Sequence, residues 1–257
     1  MEKVITQSHF EGQWVQLILK DEGGNIIDSE MMQQLSHLFD EFKYRPEIKM
    51  ITIEGYGKNF SFGASVDEHK KEHAADMLRG FHKLFYQVLD NSIPIIAKVS
   101  GYCLGGGMEL ALICNQIFAD KTAKFGQPEI NLGVFPPPAS IILPEKIGLS
   151  KAESLLLSGE TIDANAAKNL DIVNQLFENR EELDKKTQEW IEKNILPKSA
   201  LSLRYAVKAS RIKFSHVVRN FLPNLENLYV NELMDTHDAN EGINSFLEKR
   251  KPVWKHQ

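Results

Sequence analysis

The stretch GYCLGGGMELAL, residues 101–112, places three consecutive glycines directly before an apolar run that predicts a helix. Glycine has no side chain, so such a run is typical of a strained turn or of a backbone that a ligand approaches closely. Taken alone, a glycine-rich turn is more often a simple loop than a binding site. What these glycines do therefore depends on the rest of the chain.

The composition is that of a globular protein with an ample core: of 257 residues, 42% are hydrophobic and 25% are charged. No window holds the roughly 18 uninterrupted apolar residues of a membrane span, and the N-terminus lacks the apolar segment of a signal peptide. The two cysteines, Cys103 and Cys114, predict neither a disulfide framework nor a metal site. The net charge of -5 argues against nucleic-acid binding. We expect a cytoplasmic protein that binds neither membranes nor nucleic acid.

Apolar runs bounded by turn residues predict four strands, and segments with helical periodicity lie between them. The predicted strands are residues 15–19, 50–53, 93–99 and 117–119, and the predicted helices between them are 29–44 and 75–89. Beyond about residue 145 the strand signals fade, and helical patterns cover 150–158, 164–170, 182–191, 200–214 and 222–234. The sequence therefore predicts an α/β core over residues 1–200 and a helical C-terminal part over residues 201–257.

Two turns carry small residues at predicted helix starts. FSFGASVD, residues 60–67, follows the second predicted strand, and the glycine stretch follows the third. At a helix start the backbone N–H groups lack partners, and the helix dipole favours negative charge. Two such turns side by side would make an oxyanion hole with two N–H donors.

Two glutamates lie near these turns. Glu109 falls in the first turn of the helix after the glycines, and Glu129 follows a proline in a predicted loop, FGQPEI at residues 125–130. A pair of carboxylates beside an oxyanion hole suits proton transfer next to a carbonyl, or activation of water for addition. Singly, Glu109 could instead complement the helix dipole, and Glu129 could be a solvated loop residue. The apolar run around Glu109 argues against a purely solvated role for it.

Other chemistries fit poorly. The glycine run is neither a phosphate loop nor a G-x-G-x-x-G fingerprint, and no zinc motif is present. His69 and His73 are four residues apart, which is more typical of a solvated helix face than of a metal site. We expect no metal.

At these residues the sequence resembles the enoyl-CoA hydratase/isomerase (crotonase) superfamily over essentially the whole chain. Four ordered motifs carry the resemblance: F-x-x-G-A-x at 60–65, G-x-x-x-G-G-G-x-E-L-A at 101–111, G-Q-P-E-I-x-x-G at 126–133, and E-G-x-x-x-F-x-E-K-R-x-P at 241–252. It implies a crotonase-like α/β fold, with a superhelical core of repeated ββα units and a helical C-terminal part.

The resemblance also implies a site for an acyl-CoA thioester. The N–H groups of Ala64 and Gly106 would bind the thioester oxygen, which would explain the glycine run. Hydratases of the superfamily have both glutamates, with Glu109 mainly activating water and Glu129 exchanging the proton. Coenzyme A would be part of the substrate, and no cofactor is implied. The carrier arm of coenzyme A would lie along five residues of the turn at 60–67: Ser61, Phe62, Gly63, Ser65 and Val66.

The terminal helix is implied to act between subunits. Phe246 and Lys249 would close over the nucleotide of a neighbouring subunit, and the basic residues Arg250 and Lys251 would face its phosphates. The resemblance therefore implies a homotrimer or a dimer of trimers. A solvated helix end is the alternative for this basic tail.

Two departures from the superfamily pattern bear on the substrate. Ser65 replaces a usual aspartate, and three prolines at 136–138 follow the second glutamate. We expect the prolines to stiffen a loop, with Phe62 and Phe135 shaping a pocket for a flat ring. The sequence of these two segments most resembles that of the hydratases of the superfamily that act on cyclic dienoyl-CoA thioesters. An ordinary enoyl-CoA hydratase and an RNA-binding or scaffold protein are the alternatives.

Overall fold

The computed structural model describes residues 2–257, which form nine strands and ten α-helices. The strands are β1 (Val4–His9), β2 (Trp14–Leu19), β3 (Met50–Gly55), β4 (Ile95–Val99), β5 (Tyr102–Leu104), β6 (Gln116–Asp120), β7 (Lys124–Gly126), β8 (Thr161–Asp163) and β9 (Gln175–Phe177). The helices are α1 (Ser29–Phe42), α2 (Lys71–Asn91), α3 (Gly106–Ile113), α4 (Pro137–Ile147), α5 (Leu149–Ser158), α6 (Ala164–Asn169), α7 (Arg180–Asn194), α8 (Ala200–Ser210), α9 (Ile212–Asn231) and α10 (His237–Leu247). Short 3₁₀ helices span Asp67–His69, Pro128–Leu132 and Leu233–Asp235.

Six strands form the main sheet, in the order β1-β2-β3-β4-β6-β9. The β1–β2 pair is antiparallel, and every other pair in this sheet is parallel. All residues of β3 and β4 are buried, as expected for central parallel strands that are covered on both faces. Helices α1 and α2 pack against each other and bury apolar side chains at helical spacing, among them Leu35, Phe39, Phe81 and Phe85.

A second sheet of three short strands, in the order β5-β7-β8, positions the turns that carry the predicted site residues. Strand β5 pairs in parallel with β7, so that Cys103 is opposite Phe125. On the other side of β5, Ser61 forms an isolated parallel bridge to Cys103. The turns that follow these three segments therefore emerge at one edge of the sheet.

The α/β core and the helical C-terminal part agree with the sequence prediction, and the four predicted strands correspond to β2, β3, β4 and β6. The prediction missed β1, whose central residues are exposed, and four strands of only three residues. Two of these, β8 and β9, lie beyond residue 145, where strands were not expected. Cys103 and Cys114 are free and buried. The division of the chain at residue 200 stays a prediction.

Two local predictions are wrong. Residues 60–65 do not lead directly into a helix, since only a 3₁₀ turn, Asp67–His69, precedes α2. The three prolines do not form a loop: Pro136 is the N-cap of α4, and Pro137 and Pro138 form its first turn. Proline suits this position because its missing N–H would have no acceptor in the first helical turn. In the part of the chain that the structure describes, no helix is long and apolar enough to cross a membrane.

Candidate active site

The three consecutive glycines each leave space for a different neighbour. A Cβ atom on Gly105 would lie 2.6 Å from Oε1 of Glu129, and one on Gly107 would lie 2.6 Å from Cβ of Ser61. A Cβ atom on Gly106 would lie 3.1 Å from the backbone nitrogen of Ala64. The glycines thus admit the second carboxylate and the neighbouring chain segment, and they leave a gap between two peptide groups.

The gap has N–H donors on both sides. Gly106 is the first residue of α3, so its N–H has no acceptor within the helix. The N–H of Ala64 donates to no backbone carbonyl of residues 2–257, whereas those of its neighbours Gly63 and Ser65 have acceptors. The arrangement brings together the two donors predicted for the oxyanion hole, although only Gly106 lies at a helix N-terminus.

Glu109 lies in the first turn of α3, and its side chain is only 4% exposed. Its Oε1 accepts a hydrogen bond of 2.9 Å from the N–H of Ala139. Because Pro137 and Pro138 have no N–H, Ala139 supplies the first free N–H of α4. Burial and then the nearby charge of Glu129 raise the pKa of Glu109 well above its ordinary value, and the hydrogen bond from Ala139 opposes them.

Glu129 lies in the 3₁₀ helix Pro128–Leu132 rather than in an irregular loop, and it is 9% exposed. The amide nitrogen of Gln127, oriented toward the carboxylate, lies 3.3 Å from Oε1 and 3.1 Å from Oε2. Burial raises the pKa of Glu129 to about 8. Two carboxyl groups of raised pKa, close enough to couple, tend to share a proton.

Both glutamates open onto a cavity of about 580 Å³, within the size range of small-molecule sites. Its walls also hold most of the other residues predicted for the site: Ala64, Gly106, Phe62, Gly63, Ser65, Val66, Phe135 and Phe246. The remaining lining is mostly apolar and includes Phe81 and Leu104. Such a cavity suits an acyl group flanked by two carboxylates and two N–H donors.

Two predicted residues do not line this cavity. Ser61 is fully buried, and its hydroxyl donates to the carbonyl oxygen of Asn25 and accepts from the N–H of Gly63. Its position therefore supports the turn rather than a ligand. Lys249 is exposed outside the cavity, where its main-chain φ is +55°.

Two residues of the terminal motif have contacts within their own chain. Phe246 borders the cavity. Arg250 forms two ion-paired hydrogen bonds, of 2.5 and 2.8 Å, to Glu241 in α10. The expected contacts of Phe246, Lys249, Arg250 and Lys251 with a nucleotide bound by a neighbouring subunit stay a prediction.

Sequence reasoning missed three residues at the site. Gln127 precedes the proline of its motif and holds Glu129, and Tyr229 reaches the cavity from α9, a hundred residues further along. His69 lines the cavity, although it was expected on a solvated helix face. Its Nδ1 donates a hydrogen bond of 2.7 Å to the carbonyl oxygen of Ser65. Burial lowers the pKa of His69. The motif itself pointed to Gln127, but no local signal pointed to Tyr229.

Comparison with known proteins decides the family. The pattern described as enoyl-CoA hydratase/isomerase matches residues 14–257. The chain belongs to the enoyl-CoA hydratase/isomerase family. It is 40% identical over 247 residues to the cyclohexa-1,5-dienecarbonyl-CoA hydratase of Thauera aromatica, covering 96% of this chain and 95% of the relative. It is 31% identical over 233 residues to the 2,3-dehydroadipyl-CoA hydratase of Escherichia coli strain K12, covering 90% of each.

The fold of this enoyl-CoA hydratase/isomerase also matches solved structures. An enoyl-CoA hydratase from Bacillus halodurans superposes with a TM-score of 0.88 at 19% identity, covering 95% of this chain and 100% of that one. This likeness confirms the crotonase-like fold. The family and the hydratases among its relatives make the chain an enzyme of the hydro-lyase class, with an acyl-CoA as substrate.

Proposed function

We propose that this hydratase adds water to a conjugated cyclic dienoyl-CoA, converting cyclohexa-1,5-diene-1-carbonyl-CoA to 6-hydroxycyclohex-1-ene-1-carbonyl-CoA. The observation that carries the proposal is a pair of buried carboxyl groups, Glu109 and Glu129, beside two N–H donors in an apolar cavity. Hydration needs a base for water, an acid for carbon and a partner for the charge on the thioester oxygen.

In the proposed reaction Glu109 acts as the base and Glu129 as the acid. The N–H of Ala139 stabilises the ionised form of Glu109, and the raised pKa makes that carboxylate a stronger base. Glu109 takes one proton from water as the water oxygen bonds to the ring carbon β to the thioester. The π electrons move to the thioester oxygen, where the N–H groups of Ala64 and Gly106 bind the developing charge.

The second half of the addition places a proton at the far end of the diene. Glu129 donates its proton to that carbon, and the electrons return from oxygen to leave one double bond conjugated with the thioester. Glu109 then passes its proton to Glu129, so the pair ends as it began and the product has gained one water molecule. An ordinary enoyl-CoA would instead be protonated at the α carbon.

Flat surfaces near the carboxylates support a ring as the acyl group. Phe135 and Tyr229 meet edge to face, with ring centroids 5.4 Å apart, and both line the cavity. Pro136 and Pro137 add rigid lining beside them. A rigid wall of this kind favours a planar ring, which loses less conformational entropy on binding than a flexible acyl chain. The name of the relative from Thauera aromatica supports the same substrate.

Specificity constants for the cyclic dienoyl-CoA and for crotonyl-CoA, measured side by side on the purified full chain, test the proposal. We expect kcat/KM to be at least about tenfold higher for the cyclic substrate, since one pose of the ring is selected. A clear preference for crotonyl-CoA would leave the hydratase intact but make it a general enoyl-CoA hydratase for linear or branched chains.

We further propose that the chain works in the cytoplasm as a homotrimer or a dimer of trimers, in the breakdown of aromatic compounds. Exposed apolar side chains on α5, α8 and α9 support association: Leu149, Leu157, Leu201, Tyr205, Phe221 and Leu228. In such an assembly Phe246 and Lys249 would cover the nucleotide part of coenzyme A, with Phe246 also touching its own cavity.

A further inference from the structure

Tyr229 carries a buried hydroxyl that no part of the fold uses. The residue lies in α9, its side chain is fully buried, and its ring lines the cavity that holds the two glutamates. Among residues 2–257 no group forms a hydrogen bond with this hydroxyl. Buried hydroxyl groups nearly always have a partner, so an orphan at a ligand cavity indicates that the ligand provides one.

The surroundings of the hydroxyl make it a donor. Burial, followed by the charges of Glu129 and Glu109, raises the pKa of Tyr229, so the phenol keeps its proton. Tyr229 and both glutamates line the same cavity. The hydroxyl of Tyr229 forms no hydrogen bond with either Glu129 or Glu109.

The carboxylates already have other partners. Oε1 of Glu109 accepts from Ala139, and both oxygens of Glu129 face the amide nitrogen of Gln127. A water molecule among these three groups would donate one hydrogen to the carboxylate of Glu109 and the other to the carbonyl oxygen of the protonated Glu129, and it would accept one hydrogen from the phenol. One lone pair of the water would then remain free to attack carbon.

We propose that Tyr229 donates a hydrogen bond to the oxygen atom that becomes the product's hydroxyl, first in the attacking water and then in the alcohol. This role rests on the proposed hydration but not on the identity of the acyl group, because every hydration product carries that oxygen. Tyr229 is thus a binding residue for the added hydroxyl.

Tyr229→Phe removes the hydroxyl and keeps the ring that packs on Phe135. We expect kcat to fall about 10- to 100-fold, as for the loss of one hydrogen bond to a partly charged group. The KM for the thioester should change less than about twofold, since binding of the CoA arm is untouched. The melting temperature should stay the same or rise, because the lost hydroxyl has no partner in the folded chain.

Thr187→Val is the matched control. Thr187 also has a buried hydroxyl without a partner, but it lies on α7 and does not line the cavity. Its removal should leave kcat unchanged and the melting temperature unchanged or raised. A kcat for Tyr229→Phe within twofold of wild type would overturn the proposal. So would a fall in its melting temperature of several degrees, which would reveal a structural role.

Binding separates this proposal from the proposed hydration. Dissociation constants for 3-hydroxybutyryl-CoA and butyryl-CoA are measured by calorimetry on Glu129→Gln, with and without Tyr229→Phe, so that turnover does not interfere. We expect Tyr229→Phe to weaken binding of the hydroxylated thioester about tenfold and to leave butyryl-CoA unchanged. Equal effects on both thioesters, or none, would overturn the role of Tyr229 even where wild-type chain hydrates normally. Conversely, a wild-type chain that hydrates neither crotonyl-CoA nor the cyclic dienoyl-CoA would overturn the proposed function alone.

Discussion

Gly106 shows at the scale of one residue how a missing side chain can serve a reaction. A Cβ atom on Gly106 would point toward the backbone nitrogen of Ala64, and Gly106 is the first residue of α3. A methyl group there would occupy the gap in which a thioester oxygen would meet both donors. The residue is helical with an ordinary φ, so the helix itself does not require glycine.

Gly106→Ala should therefore lower kcat/KM by at least about 100-fold, the usual worth of an oxyanion-hole donor, while the chain stays folded. Steady-state kinetics and a thermal melt measure the two effects. Gly80→Ala in α2 is the control, because its added Cβ would make only an ordinary contact of 3.7 Å with Met32. Near-normal kcat/KM in Gly106→Ala would remove Gly106 from the oxyanion hole.

Glu129 should be costly for stability and necessary for turnover. Glu129→Gln should lower kcat about 10²- to 10⁴-fold, as for other positioned acids. Between its ordinary pKa of 4.5 and the folded value of about 8, the folded chain binds more protons than the unfolded chain. The free energy of unfolding contributed by Glu129 therefore falls as pH rises through this window.

The variant removes that loss, so its melting temperature should exceed that of wild type by on the order of a few degrees at about pH 8, and by less near pH 5. Thermal melts at both pH values measure the difference. Glu153→Gln, at an exposed position on α5, should change neither turnover nor stability. A Glu129→Gln variant that is less stable than wild type at about pH 8 would contradict this account.

At the scale of elements, α10 holds the segment that carries Glu129. Gly242 lies in α10, and a Cβ atom there would overlap the carbonyl oxygen of Leu132 at the end of the 3₁₀ helix. The ion pair of Glu241 and Arg250 fastens the chain that follows α10. The terminal motif thus stabilises the segment that carries Glu129 in its own chain, and this role is separate from the predicted covering of the nucleotide.

Gly242→Ala should push α10 away from the Glu129 segment, because a backbone carbonyl cannot yield as a flexible side chain can. We expect a melting temperature lower by several degrees and kcat lower by about tenfold or more. Asn244→Ala, on the exposed side of the same helix, should leave both unchanged. Wild-type stability in Gly242→Ala would show that α10 does not rest on this segment.

The elements that sequence predicted well are those with long apolar periodicity, such as α1, α2 and the central strands. The sequence analysis missed β5 and β7 because strands of three residues are too short to show an apolar pattern. The pairing of these two strands nevertheless brings the glycines beside Glu129. The sequence analysis also took the prolines before Ala139 for a loop, since proline stiffens loops and helix starts alike. The contact from Ala139 to Glu109 spans 30 residues and could not be predicted from either motif.

At the scale of the whole molecule, the exposed apolar side chains of α5, α8 and α9 predict assembly. Light scattering on the purified chain should give a mass three or six times the 29.2 kDa of one chain. The mass should persist on dilution to the concentrations of the kinetic assay. A fully active species of 29.2 kDa would contradict both the assembly and the shared cover by Phe246 and Lys249.

The motifs identified the family and most of the residues that line the cavity, because those residues lie in short contiguous stretches. The sequence analysis missed Tyr229 because α9 is brought to the site by its packing on the distant helices α4 and α2. Nothing in the local sequence of α9 distinguishes that tyrosine from an ordinary core aromatic. Residues supplied by distant helices are thus the part of a site that needs a structure.

The hydrogen bond from Ala139 to Oε1 of Glu109 bears on the shape of the product as well as on its formation. With Oε1 engaged, Oε2 is the oxygen left to take a proton from water in the proposed reaction, and the water would approach the proposed ring substrate from one side. The N–H groups of Ala64 and Gly106 would hold that ring by its thioester, so that it could not offer its opposite face. We expect the alcohol to be a single enantiomer, and a chiral column should resolve only one peak after the thioester is cleaved.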